Sequence, residues 1–189
     1  MTKAEIEKKA YVCLDEFYPD QPLSSDTEGF PIAKFLDDAI RYVGRVAPVR
    51  ALGQGEDFSG SPSENNSIEL PEGFVRLISF QMSDWDLPVV EALYSDNPRY
   101  LQQADPVLKG STKRPVVFIC DGDTTLEWYS SSSTIQKAQA FVVSDDINYP
   151  EKISEVIAWK TAELVLSALN NVAAVQFAQT QLKQLFDSL

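Results

Sequence analysis

Three close pairs of carboxylates are the first residues in this chain able to do chemistry: Asp84/Asp86, Asp121/Asp123 and Asp145/Asp146. Paired carboxylates serve as general acid and base, or as ligands for a hard cation. Each pair falls at an expected strand end or turn, where Asp is favoured because its side chain bonds nearby backbone amides. None shows the regular oxygen-ligand spacing of a calcium loop, so all three read as turn residues. The chain has no histidine, which removes the Ser–His–Asp triad, the Cys–His pair and most catalytic zinc sites. Cys13 lies on a helical stripe and Cys120 in an apolar run, so both read as small buried hydrophobes, with no spacing that argues for a disulfide. Gly53-Gln-Gly55 runs into Glu56 and Asp57, which would repel a phosphate, and no helix follows directly. The sequence therefore predicts no enzyme, no cofactor and no metal site.

Binding chemistry has more material. Trp85, Tyr94, Tyr100, Trp128 and Tyr129 could form a sugar-stacking platform, although aromatic residues in strands are favoured simply because they pack well on a pleated surface. A soluble binding module for carbohydrate or protein, built on these rings, is the alternative functional reading. Lys109, Lys113 and Arg114 form the one basic cluster in the acidic middle of the chain. Such a cluster suits a phosphate or an acidic partner, and equally a solvated loop around Gly110. The C-terminal segment is apolar over a wider arc than one packing neighbour needs. Trp159, Leu166, Phe177, Leu182, Leu185 and Phe186 are accordingly the candidate interface residues, since exposed apolar surface marks association sites.

The elements that must position these residues follow from periodicity. Thr2 and Glu5 have capping-box spacing, and Ile6, Ala10, Cys13, Leu14 and Phe17 follow as a helical stripe that Pro19 ends. A polar connection, Asp20 to Gly29, leads to a second helix from near Pro31 to Pro48, carrying Ile32, Phe35, Leu36, Ala39, Ile40, Val43 and Ala47. Two such helices are expected to pack antiparallel. Gly53 to Asn66 reads as a flexible loop. The period then becomes strand-like over Ser67–Leu70, Phe74–Ser83, Leu87–Tyr94, Val116–Cys120, Thr124–Ser130 and Gln139–Ser144. Asn97-Pro98 opens one helical turn, and Asp121-Gly122-Asp123 signals a hairpin. Helical spacing returns at Tyr149-Pro150-Glu151, with Asn170-Asn171 placed to kink or end that helix before Ala173–Leu189. The expected fold class is α+β, mostly α. It is an antiparallel helical bundle with a β-rich insertion between helix 2 and the C-terminal helices. Residues 1–53 form the first helical part, 54–147 the insertion and 148–189 the closing helices, within one composite domain.

This order of elements, together with three stretches of sequence, resembles the head-to-tail adaptor proteins of short-tailed bacteriophages, including the ring proteins of crAss-like phages. The stretches are Ile68-Glu-Leu-Pro71 with Phe74-Val-Arg-Leu77, helix two as Phe35-Leu-Asp-Asp-Ala-Ile-Arg-Tyr-Val43, and Tyr149-Pro-Glu-Lys152 leading into Val156-Ile-Ala-Trp-Lys-Thr-Ala162. The resemblance implies a virion structural protein at the head–tail interface, assembled in the host cytoplasm. Its subunits would form a ring of twelve copies that binds the portal above and tail or further ring proteins below. DNA would pass through without specific binding. The six apolar residues named above would then be oligomer or portal contacts.

Bulk composition agrees with a packed, non-gripping protein. The chain has 189 residues with three Trp, seven Tyr and ten Phe, ample for a core. Its net charge is −12, and residues 54–147 hold fifteen acids against six bases. Such a surface repels phosphate, which suits a passage through which DNA slides or an acidic docking face. The charged N-terminus has no apolar signal core, and no stretch approaches the length needed to span a bilayer.

Overall fold

The computed structural model describes residues 1–17, 32–60, 66–120, 122, 124–129 and 134–189. Its helices are α1 (Lys3–Asp15), α2 (Ile32–Val46), α3 (Pro98–Leu101), α4 (Glu151–Ala168) and α5 (Val172–Asp187). The strands are β1 (Glu56–Asp57), β2 (Ser67–Glu69), β3 (Phe74–Met82), β4 (Leu93–Tyr94), β5 (Val117–Cys120), β6 (Thr125–Trp128) and β7 (Ile135–Val142). The architecture among the described residues is thus mixed α and β, with five helices and two sheets. Pro19, the 20–29 connection, Pro31 and the Asp121/Asp123 pair lie outside the described residues. Contacts divide the chain into two units, residues 1–53 with 143–189, and residues 54–142.

In the helical unit, local chemistry sets the ends of the elements. The Thr2 hydroxyl accepts from the Glu5 amide at 3.3 Å and the Glu5 carboxylate accepts from the Thr2 amide at 2.8 Å, so two donors that the first turn leaves free are satisfied reciprocally. Asn170 adopts a left-handed φ of 57°, which ends α4, and the Asn171 side chain then accepts from the Ala174 amide at 3.2 Å to start α5. The helix therefore stops at these asparagines and does not kink through them. Residues 143–147, read from sequence as the end of the insertion, group with the helices. The buried Tyr149 hydroxyl meets both the amide and the carbonyl of Ser144, at 3.2 and 3.3 Å.

The packing centre of this unit is α4. Helices α1, α2 and α5 each lie along it, whereas α1 and α2 barely touch each other. The expectation that the first two helices pair with one another is corrected: each uses its apolar stripe on α4. Ile6, Ala10 and Leu14 from α1, and Leu36, Ala39, Ile40 and Val43 from α2, are all buried. A fully buried aliphatic side chain of this kind contributes about 1.5–3 kcal/mol.

In the second unit, one sheet has strand order β1-β7-β3 and the other β2-β6-β5-β4. All pairings are antiparallel except β4 with β5. Side chains from both sheets form one core, with Leu77, Phe80 and Ala138 from the first and Ile68, Ile119 and Trp128 from the second. Phe80 sits against Trp128 at 5.3 Å and Trp85 at 5.7 Å between ring centroids. Strand β5 is buried on both faces, since Val117 and Ile119 enter this core while Phe118 and Cys120 enter a second cluster.

Two sequence expectations change here. The 53–66 loop contains β1, whose residues pair with Gln139 and Ala140 of β7. Gly55 makes this approach possible, because it has a φ of +67° and any Cβ there would lie 2.3 Å from the Ala140 carbonyl oxygen. The expected strand 87–94 reduces to a single Phe80–Val89 bridge and the two-residue β4. Pro88 has no amide to donate, and after it the chain leaves β3 to join the other sheet beside β5.

Two consequences are measurable by urea unfolding. Gly55→Ala is expected to lower stability by more than about 1 kcal/mol, because both its φ and its space are incompatible with a side chain. Trp128→Ala is expected to cost about 3–5 kcal/mol. Trp128→Phe should cost much less, as it keeps most of the packing and removes a buried indole N–H that has no partner among the described residues.

Candidate functional site

Four basic side chains without an acidic partner among the described residues lie where α3 meets the loop that follows it. Asn97 caps α3 by accepting from the Arg99 amide at 3.0 Å, with Pro98 at the first position. Gln103, itself buried, then bridges the loop: its Nε2 donates to the Arg99 carbonyl and its Oε1 accepts from the Gly110 amide, both at 2.8 Å. Asp105 fixes the intervening turn by accepting from the Val107 amide at 2.8 Å. Ser111 and Arg114 close a second turn through reciprocal backbone bonds of 3.1 and 3.0 Å. Backbone held this way presents its side chains in a defined arrangement.

The result is an open pocket of about 830 Å³, within the size range of ligand sites. Arg99, Lys109, Lys113 and Arg114 line it and no carboxylate does. All four are exposed, and none has an acidic partner among the described residues. Val116 forms buried apolar lining, and the Val107 and Leu108 side chains stand 89% and 57% exposed at the pocket. Sequence reasoning found Lys109, Lys113 and Arg114. It missed Arg99, which the α3 turn brings to the same cavity, and Gln103, whose burial has no local signature beyond its place after a capped turn.

The aromatic platform is not assembled. Trp128 is 2% exposed and Trp85 4%, so neither face can stack on a sugar. Strand alternation gives the reason, sending Trp128 of β6 into the core while Tyr129, the next residue, turns to the opposite side. Tyr129 and Tyr100 pack edge-on against Phe118 at 5.8 and 5.2 Å, and both hydroxyls donate to Glu127 Oε2, at 3.1 and 3.2 Å. Burial, and then the bond with Tyr100, pushes the Tyr129 hydroxyl well above its ordinary pKa. Tyr94 alone of the five is more than half exposed.

The carboxylates that the structure describes are not gathered. Asp145 pairs with Lys3 at 2.9 Å, and Lys3 also meets Asp37 at 2.7 Å. Among the described residues no three Cys, Asp or Glu side chains come together as metal ligands. Both cysteines are buried and neither forms a disulfide. Burial pushes the Cys13 thiol up from 9.0 to about 12.

Of the six candidate interface residues, Leu166 and Leu182 are buried inside the helical unit and present no surface. Trp159, Leu185 and Phe186 are half-buried. Phe177 is 45% exposed and packs at 5.5 Å on Phe17 and at 6.1 Å on Trp159, so rings from just after α1, from α4 and from α5 form an aromatic ridge of which Phe177 is the exposed member. Val172 and Leu169 are exposed near the start of the same helix. The α4 arc that appeared too apolar for one neighbour is covered by three helices of its own chain, and exposed apolar side chains remain on α5 at Val172 and Phe177, as they do at Val12 of α1 and Val46 of α2.

No protein-family model matches the chain, and no curated protein sequence matches it. No helix among the described residues is long and apolar enough to cross a membrane.

Two outcomes follow from this geometry. Gln103→Leu is expected to lower stability by about 1–3 kcal/mol, because it strands the Gly110 amide, with Gln103→Glu restoring only the acceptor. For Cys13, whose folded pKa is raised, the contribution to stability is present below pH 9.0 and lost as pH rises towards about 12. Unfolding free energies measured across that window should therefore fall less steeply in Cys13→Ala.

Proposed function

We propose that this chain is a virion structural protein, a head-to-tail connector subunit that forms a ring under the portal of a short-tailed phage. The observation that carries this reading is the aromatic ridge exposed at Phe177. Phe177, packed on the half-buried rings of Trp159 and Phe17, stays 45% exposed after the described helices α1, α2 and α5 have covered α4. Apolar surface of that kind favours association. In this reading the helices form an antiparallel bundle interrupted by the β-rich unit, and the ridge packs against the next subunit in a head-to-tail contact. Such contacts close into a ring when the rotation between subunits divides a full turn. Twelve copies, portal protein above, and tail or further ring proteins below are the partners the family resemblance supplies.

The charge distribution supports the same role. Residues 54–142 carry thirteen acids against six bases, so this unit has a net charge that disfavours phosphate. A wall of that sign lets DNA pass without holding it. The function is binding and alignment at the head–tail interface, with no reaction and no cofactor.

Light scattering on the purified protein, alone and mixed with portal protein encoded beside it, tests the reading. The expected outcome is a ring-sized mass, either free or on meeting the portal. A protein that stays monomeric and ignores the portal sinks it. Phe177→Glu should abolish the assembled mass while leaving the far-ultraviolet circular dichroism of the monomer intact.

A further inference from the structure

We infer that the pocket between α3 and the 105–114 loop is a docking site for an acidic, leucine-type peptide segment of another protein. The inference does not depend on ring formation.

Charge complementarity is the first argument. Residues 54–142 contain six bases, and four of them, Arg99, Lys109, Lys113 and Arg114, converge on this one cavity. Four like charges that line one exposed cavity, with no acidic partner among the described residues, make a positive patch that favours an incoming anion. Two of the four are arginines, whose planar forks match carboxylates in a bidentate geometry. The second argument is the apolar rim. Val107 and Leu108 stand out beside the cations, on a loop that Gln103 and Asp105 hold in place. Exposed aliphatic side chains that line the same pocket as two arginines fit a partner that carries an aliphatic side chain next to a carboxylate.

The same observations disfavour a nucleic acid. A phosphate backbone offers no aliphatic group to cover Val107 and Leu108. It would also have to run on from the pocket across a unit where acids outnumber bases by thirteen to six. A short peptide meets the cations locally and ends before that repulsion builds up, since screening confines exposed charges to about 8 Å in physiological salt.

The test is fluorescence anisotropy on the full chain with three labelled probes: a glutamate–leucine alternating peptide, an all-glutamate peptide of equal charge, and a single-stranded oligonucleotide. The alternating peptide is expected to saturate at one per chain and to bind about tenfold more tightly than either other probe. The double variant Lys113→Glu with Arg114→Glu should weaken it about tenfold or more, as should the milder neutralisation Arg99→Gln with Lys109→Gln. Lys137→Glu makes the same kind of charge change on exposed β7, away from the pocket, and should leave affinity unchanged. Val107→Ser should weaken the alternating peptide and not the all-glutamate one.

Five results overturn the inference. Tighter binding of the oligonucleotide through Lys113 and Arg114 would make this a phosphate site. Equal binding of the two peptides, or equal loss in Lys137→Glu, would show diffuse attraction alone. Absence of saturation with any probe would show no site. A fall in the protein's own mass on charge reversal would show that a second copy occupies the pocket.

Discussion

A helix that must be covered on three sides is the constraint from which the helical unit follows. On α4, Ile153, Val156, Ile157, Ala162, Val165 and Leu166 are fully buried, and their directions span more than any single neighbour can cover. Helices α1, α2 and α5 are the cover, which is why α1 and α2 face α4 and not each other. Polar groups on α4 follow the same logic. Lys160 pairs with Glu163, lies 4.3 Å over the Tyr42 ring of α2, and Glu163 accepts from Gln179 of α5 at 3.1 Å. One ion pair thus ties α4 to two of its neighbours. Such pairs contribute modest net stability, because desolvation offsets attraction, but their geometry is demanding.

The second unit is organised by a different shortage. Strand β5 is buried on both faces, so the chain must supply cover twice. One face is closed by the opposing sheet through Phe80 and Met82. The other is closed by Tyr100 and Tyr129 around Phe118. Tyr100 sits on α3, and the loop after α3 has to return to β5 by way of Gly110 and Val116. The cationic pocket lies along that return. Its position is therefore a by-product of covering β5, while its charge is a property of the side chains placed there.

Local signals were legible wherever a nearby partner determines conformation. The Thr2–Glu5 box, the Asn97-Pro98 turn, the Asn170-Asn171 stop and most strand positions are all decided within a few residues, by caps, proline and alternation. The strand expected at 87–94 failed because Pro88 and the switch between sheets depend on where β5 lies, some thirty positions later. β1 was missed for the same kind of reason. It is a strand through pairing with β7, which is remote in sequence. The tryptophans show the limit for function: a ring suited to stacking on sugar and a ring suited to a core have the same one-letter code.

The sequence by itself determined the composition of the chemistry. With no histidine, paired acids in turns, and a surplus of negative charge in the middle of the chain, it directed attention to binding surfaces. It also supplied three of the four pocket cations and the aromatic residues of α5. Tertiary structure alone decided which of those residues are available. It hid Leu166 and Leu182, left Phe177 out, buried Trp85 and Trp128, and brought Arg99 to Lys109, Lys113 and Arg114. The physical reason is that residue type fixes what a side chain prefers, whereas burial is settled by competition among all apolar groups for a limited interior. That competition is non-local, so no window of sequence contains its outcome.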